Sequence, residues 1–203
     1  MTESPAYHHG NLQQALVEAG AQLIEENGIS GISLREVAKI AGVSHSAPYR
    51  HFKDKNALLT GIAEVGFQRL GHAMQLAVEQ HPGNAREQLI EAGVAYIRLA
   101  LDNSEMFHLM FGGLIAAEDP SEALQQSSVL AFQGLVLIIQ GGQKDGLYKQ
   151  AEANELALTA WSLVHGYAML ASTGKLHHMT NSRKAILSLA RYIESHLIDG
   201  IAR

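Results

Sequence analysis

Residues 33–52 read SLREVAKIAGVSHSAPYRHF, and their spacing decides the fold. Ser33-Leu34-Arg35-Glu36 has the form of a capping box, in which a serine oxygen and a glutamate satisfy the free N–H groups at a helix start. Leu34, Val37, Ala38 and Ala41 then recur at the three-to-four spacing of a helix face. Gly42 permits a sharp turn, and Val43 is placed to plug it from below. Ser44 opens a second, short helix expected to run to about Phe52, with Pro48 near its start, where it removes at most about one backbone bond. The small Ala38 lets the two helices cross closely. Such a helix-turn-helix holds its second helix away from the body, so that it can enter a DNA major groove about 12 Å wide.

The outward residues of the second helix fit that use. Ser44, His45, Ser46, Tyr49, Arg50 and His51 offer hydrogen bonds, and Lys53 and Lys55 follow with charge. The helix starts at Ser33 and Asp54 point backbone N–H groups outward, a natural seat for phosphate oxygens. His45 and His51 have a plainer reading as surface histidines. Phe52 reads as core, and Ser33 reads first as a cap.

Working outward, a helix is expected from about Asn11 to Glu26, with Leu12, Ala15, Leu16, Ala19, Leu23 and Ile24 as its apolar stripe and Asn27-Gly28 as its end. Asp54 caps a fourth helix with Leu58, Leu59, Ile62, Val65 and Leu70 on its inner side. Further helices are expected at about 84–102, 104–112, 121–143, 153–172 and 182–199, separated by His81-Pro82-Gly83, Asp102-Asn103, Gly112-Gly113, Asp119-Pro120, Gly141-Gly142 and Thr173-Gly174. Alternation of the strand type is scarce. The expected class is all-α: an N-terminal three-helix helix-turn-helix domain over residues 1–58 and a C-terminal helical domain over 59–203.

The chain has 203 residues, 47% of them apolar, enough for a sizeable core, and no cysteine. Disulfides, thiolate metal sites and a cysteine nucleophile are thereby excluded, which fits a cytoplasmic location. No run approaches about 20 uninterrupted apolar residues, so no membrane span is expected, and the N-terminus lacks the pattern of a secretory signal. The net charge is −5, and residues 1–55 carry five Lys/Arg against six Asp/Glu. That balance is unusual for a nucleic-acid module, but four of the five bases lie at or near the helix-turn-helix, and phosphates meet one face only.

The run from Asn11 to Leu59 resembles the DNA-binding domain of the TetR/AcrR family of regulators. The resemblance rests on the first-helix stripe ending at Asn27-Gly28, on Ser33 to Ala38, on Ala41-Gly42-Val43-Ser44, and on Tyr49-Arg50-His51-Phe52-Lys53-Asp54-Lys55 with Leu58-Leu59. Trp161-Ser162-Leu163-Val164-His165-Gly166 is similar to the tryptophan–histidine–glycine signature of one subgroup of C-terminal domains, and Tyr7-His8-His9-Gly10-Asn11-Leu12 to that subgroup's prefix. The resemblance implies that Arg35 reaches a base edge or a phosphate, that His45, Ser46 and Ala47 face bases, and that Tyr49, His51 and Lys55 hold phosphates. Arg50 stands where the family varies, and Pro48 departs from the commoner leucine-like residue. It further implies a homodimer on a palindromic duplex, an effector cavity among the C-terminal helices, and no cofactor.

Within the C-terminal half, Met106, Phe107, His108, Met110 and Phe111 form an apolar cluster on a short helix. Core packing and a ligand-adaptable lining both fit it. Trp161 and His165, four apart, share a helix face and are either a packed pair or a ligand contact. Phe107, Phe111, Trp161, His165 and Met169 are therefore the candidates for small-molecule contact. Leu156, Leu163, Tyr167, Leu170, Ile186, Leu189, Tyr192, Ile193 and Leu197 on the last two helices would pair with their copies in a four-helix dimer bundle. The eleven histidines raise a metal enzyme as a rival, but His8-His9 and His177-His178 are adjacent pairs, which do not share a face as ligands four apart would. A helical binding protein with a purely structural helix-turn-helix is the other rival, and an activator is a variant of the first reading.

Overall fold

The computed structural model describes residues 12–115, 121–176, 179 and 182–201. Asn11 and the prefix before it, Asp119-Pro120 and His177-His178 lie outside the described residues. Eight α-helices and no β-strand occur among the described residues: α1 Leu12–Asn27, α2 Leu34–Ile40, α3 Lys55–Glu79, α4 Ala85–Asp102, α5 Ser104–Phe111, α6 Glu122–Lys144, α7 Ala153–Ser172 and α8 Arg183–Ile201.

Two apolar cores organise them. The smaller gathers Leu16, Val17, Leu23 and Ile24 of α1, Leu34 and Val37 of α2, Phe52, and Leu58, Leu59 and Ile62 of α3. Met106 and Leu109 of α5 complete this core from below. The larger joins Phe67, Leu70 and Met74 of α3 to the inner faces of α4, α6, α7 and α8. α3 thus serves the first core with its N-terminal half and the second with the rest, so a boundary at residue 58 falls inside a continuous helix. Three arginines clasp α8 to α4. Arg191 of α8 binds Glu87 and Glu91, Arg86 of α4 binds Asp199 and Ser195, and Arg183 of α8 binds Asp102.

One expected element differs. Instead of an α-helix from Ser44 to Phe52, the chain makes a turn and then a single 3-10 turn over Pro48–Arg50. Its backbone bonds run Ala47 to Ser44, Arg50 to Ala47 and His51 to Pro48, each three residues apart, at 3.0–3.2 Å, and the segment closes with one four-residue bond from the Phe52 N–H to the Pro48 carbonyl at 2.9 Å. Pro48 explains this. It has no N–H to bond back to Ser44, and its ring crowds the carbonyl four residues earlier, so the segment tightens to the three-residue pattern.

A second difference concerns α6. By length and composition it is apolar enough to cross a membrane, which a search for an uninterrupted apolar run does not reveal. One face of it, Ala131, Leu135, Val136, Ile138, Ile139 and Gly142, is buried in the larger core, while Leu130 and Leu137 are exposed.

Candidate DNA interface and effector cavity

The helix-turn-helix is built by two caps and one glycine. Ser33 Oγ accepts from the Glu36 N–H at 3.3 Å and donates to the Glu36 carboxylate at 2.7 Å. The glutamate's reciprocal contact is therefore to the serine hydroxyl, where the sequence suggested the backbone. Gly42 turns the chain at φ 68°, and Val43 is half-buried beneath it. Asp54 Oδ1 accepts from the Ala57 N–H at 2.8 Å and starts α3.

These supports leave one face outward. Arg35, Ser44, His45, Ser46, Tyr49, Arg50 and His51 are exposed, Ala47 and Ser33 are half-buried, and Pro48 and Phe52 are buried. Phe52 packs in the smaller core, in line with its sequence reading. Ser44 and Ser46 hydroxyls lie 3.3 Å apart. Lys55 is half-buried and donates one hydrogen bond to the Ser30 carbonyl at 3.2 Å, leaving two of its three N–H groups for other partners. Arg35, Lys39, Arg50 and Lys53 make no ion pair among the described residues.

Among the described residues, the acidic side chains of this region make their hydrogen bonds within α1, at helix caps or to α5. Glu18 and Glu26 accept from Gln14 and Gln22 along α1, Glu36 and Asp54 are caps, and Glu25 accepts from the Met106 and Glu105 N–H groups at the start of α5. Around Tyr49 the exposed residues Ser44, His45, Ser46, Arg50, His51 and Lys53 are polar or basic, although the charge of residues 1–55 sums to slightly negative.

In the C-terminal region an aromatic cavity of about 390 Å³ opens between α3, α4, α5, α6 and α7, a size in the usual range for small-molecule sites. Phe67, Leu70, Met74, Tyr96, Phe111, Phe132 and Trp161 are among the residues that line it. Of the sequence candidates, Phe111 and Trp161 face it. Phe107 is fully buried behind Phe111, with ring centroids 4.9 Å apart, and His165 stands 4.9 Å from Phe111. Met169 packs against the larger core away from this lining.

Tyr96 is the polar centre of the group. The Trp161 indole N–H, which can only donate, gives a 3.1 Å bond to the Tyr96 oxygen. The Tyr96 oxygen also lies 2.8 Å from His165 Nδ1, within hydrogen-bond reach. Burial lowers the His165 pKa below the usual value. Burial pushes the Tyr96 phenol up, with the Trp161 bond opposing.

Sequence reading missed Tyr96, Phe67, Phe132 and Glu194. Tyr96 sits inside an apolar helix and carries no motif. Glu194 does leave a signal: Ile186, Ala190, Glu194 and Ile198 are spaced by four on α8, so a carboxylate occupies the apolar register. All four are buried.

Residues 89–191, about half of the chain, match the family described as the tetracyclin repressor-like C-terminal domain, and residues 16–62 match the bacterial regulatory proteins of the tetR family. The chain belongs to the TetR family. The C-terminal match takes in Trp161, His165 and Gly166. Members of this family are DNA-binding regulators of transcription, not enzymes. Among individual relatives, the transcriptional regulator AcrR of Shigella flexneri is 34% identical over 79 residues, 39% of this chain and 37% of that one. The chain thus spans little more than a third of AcrR's own length. The uncharacterized regulator YobS of Bacillus subtilis is 22% identical over 79% of each chain. A Rhodococcus sp. RHA1 protein of unknown function superposes with a TM-score of 0.85, at 32% identity, over 98% of this chain and all of that one. The TetR-family regulator PfmR of Thermus thermophilus shares the fold at a TM-score of 0.67 and 21% identity, over 93% of this chain and 99% of that one.

Proposed function

We propose that this TetR-family chain is a homodimeric repressor, acting in the cytoplasm, that occupies a palindromic operator and is released when a small apolar or aromatic molecule enters the cavity between α3 and α7. The observation that carries the reading is the coexistence, in one chain, of an exposed basic and polar face over residues 33–55 and an aromatic chamber of about 390 Å³. Arg35, His45, Ser46 and Ala47 would meet bases or the nearest phosphates. Tyr49, Arg50, His51, Lys55, Ser44 and the α2 start at Ser33 would hold the backbone. Phe107, Phe111, Trp161, His165 and Met169 remain the proposed effector contacts, with Tyr96 at their centre. The functional division proposed is residues 1–58 for DNA and 59–203 for effector and dimer.

The dimer reading is supported by α7 and α8. Leu163, Leu170 and Tyr192 are exposed, whereas Tyr167 and Ile186 of the expected interface are spent inside the chain, where the Tyr167 hydroxyl donates to the Ile186 carbonyl. Gly166 is exposed between Leu163 and Leu170, and a Cβ there would meet nothing within 4 Å. Two copies related by a twofold would set their reading segments about one DNA turn, roughly 34 Å, apart.

Selection of bound duplexes from a random pool at moderate salt tests this directly. A recovered palindrome, with a dimer mass in sedimentation, supports the reading. A folded dimer that enriches no sequence sinks it. Placing the recovered operator upstream of a reporter then separates repressor from activator by the sign of the response.

A further inference from the structure

We propose that the effector is a cation: a compact aromatic or apolar amine whose body fills the aromatic chamber and whose charged nitrogen is received by Glu194. This rests on reading the chamber as an effector site and names the chemistry of what enters it.

Glu194 projects from α8 into the interior. It is 2% exposed, and neither carboxylate oxygen has a hydrogen-bond partner among the described residues. It borders a cavity of about 30 Å³ whose other walls include Met74, Leu89, Tyr96, Leu135 and Val164. That is room for a group the size of a water or an ammonium. The opposite wall is α4 at Gly93, where a Cβ would run into the Glu194 carboxylate. The backbone of α4 therefore leaves space for this one side chain.

No positive group is bonded to it among the described residues. Arg191, on the same helix, is held by Glu87 and Glu91. Arg86 of α4 is held by Asp199 and Ser195. α3, α6 and α7 present Met74, Leu135, Ala160 and Val164, and the Tyr96 hydroxyl is taken by Trp161 and His165. Burial raises the Glu194 pKa well above the ordinary carboxylate value, with the Arg191 charge opposing. A leucine would fill the same space without that penalty. A carboxyl kept there has a use when a positive group arrives.

Geometry connects this carboxyl to the chamber. Met74 and Tyr96 line both cavities. Met74 is unbranched and repacks easily, so it is the movable part of the partition. Phe111, Phe132 and Trp161 line the chamber beyond it. Aromatic faces attract cations, and the carboxylate supplies the full opposing charge where water is scarce.

Calorimetry on the full chain, without DNA, tests the proposal with two probes matched in shape: phenylpropylamine, charged at neutral pH, and phenylpropanol, which is not. The amine should bind at least about tenfold tighter. Glu194→Gln should abolish that preference. Circular dichroism checks that this variant folds, and if it does not, the preference of the unaltered chain for the amine decides alone. Equal binding of the two probes, absence of binding by the amine, or a preference that survives Glu194→Gln would each overturn the proposal and leave Glu194 a packing side chain. Since DNA takes no part, a chain that fails here yet enriches a palindrome keeps its regulatory reading and loses only the cationic effector.

Discussion

The Glu25 carboxylate, near the end of α1, accepts a 2.8 Å hydrogen bond from the Met106 N–H in the first turn of α5. The exchange runs both ways, because the Glu105 carboxylate accepts from the Ile29 N–H at 3.3 Å. α5 also has a face in each core: Met106 and Leu109 lie in the smaller, Phe107 in the larger, and Phe111 borders the chamber. A ligand that displaces Phe111 therefore acts on a short helix whose start is tied to the DNA-reading end. Glu25→Ala should lower unfolding stability by about 0.5–2 kcal/mol, the usual cost of a lost helix cap, seen as an earlier denaturant midpoint. It should also leave operator affinity largely intact while blunting release by effector. Unchanged release in that variant would place the coupling in α3 alone.

The basic face should divide by role. Lys55→Ala should weaken all duplexes alike and reduce the slope of log affinity against log salt by about one, the signature of a lost phosphate contact. Arg35→Ala should cost about 1–3 kcal/mol and relax preference at one base pair. Titrations of matched and mismatched duplexes at several salt concentrations distinguish the two. A Lys55→Ala slope equal to that of the unaltered chain would show that its ammonium serves only the Ser30 carbonyl.

Tyr96→Phe removes one oxygen and strands two groups, the Trp161 N–H and His165 Nδ1. The expected loss is about 1–3 kcal/mol, the cost of leaving a buried donor or acceptor unpaired. Trp161 is the sole tryptophan, so its fluorescence reports the site without labelling. A shifted emission maximum with a lower unfolding midpoint is the expected pair of results.

His165 gives stability a pH dependence. Its folded pKa is lowered by burial, so between that value and the unfolded pKa of about 6.5 the unfolded chain binds more protons. Stability from this group is full above about pH 6.5 and falls as the solution is acidified toward the folded pKa. His165→Asn should flatten the fall in melting temperature between about pH 7.5 and 5.5. A profile parallel to that of the unaltered chain would remove His165 as its source.

The helices are legible in the sequence because their stops are local. Pro82-Gly83, Asn103 and Gly174 each interrupt an apolar period, and the caps at Ser33 and Asp54 obey side-chain chemistry that a sequence carries openly, whereas Gly141-Gly142, expected as a stop, lies inside α6, which runs on to Lys144 and turns at Gly146. The 3-10 form of residues 48–50 escapes a reading that counts Pro48 as one lost bond, because the ring also crowds the turn before it. Phe111 and Trp161 stand out by residue type, whereas Tyr96 and Glu194 become partners or orphans only when α4, α7 and α8 are brought together. Leu163 and Tyr167 show the same limit within one helix: four residues apart on α7, one is exposed and the other is consumed by α8.

The 3-10 turn at Pro48–Arg50 carries a thermal consequence. It is short and held by few backbone bonds, and Tyr49 stands 55% exposed upon it. A segment of this kind gains order from the surface it lies against, so part of its folding belongs to the encounter with DNA. Binding to the right duplex should then show a more negative heat-capacity change than binding to a random one, and discrimination between the two should vary with temperature.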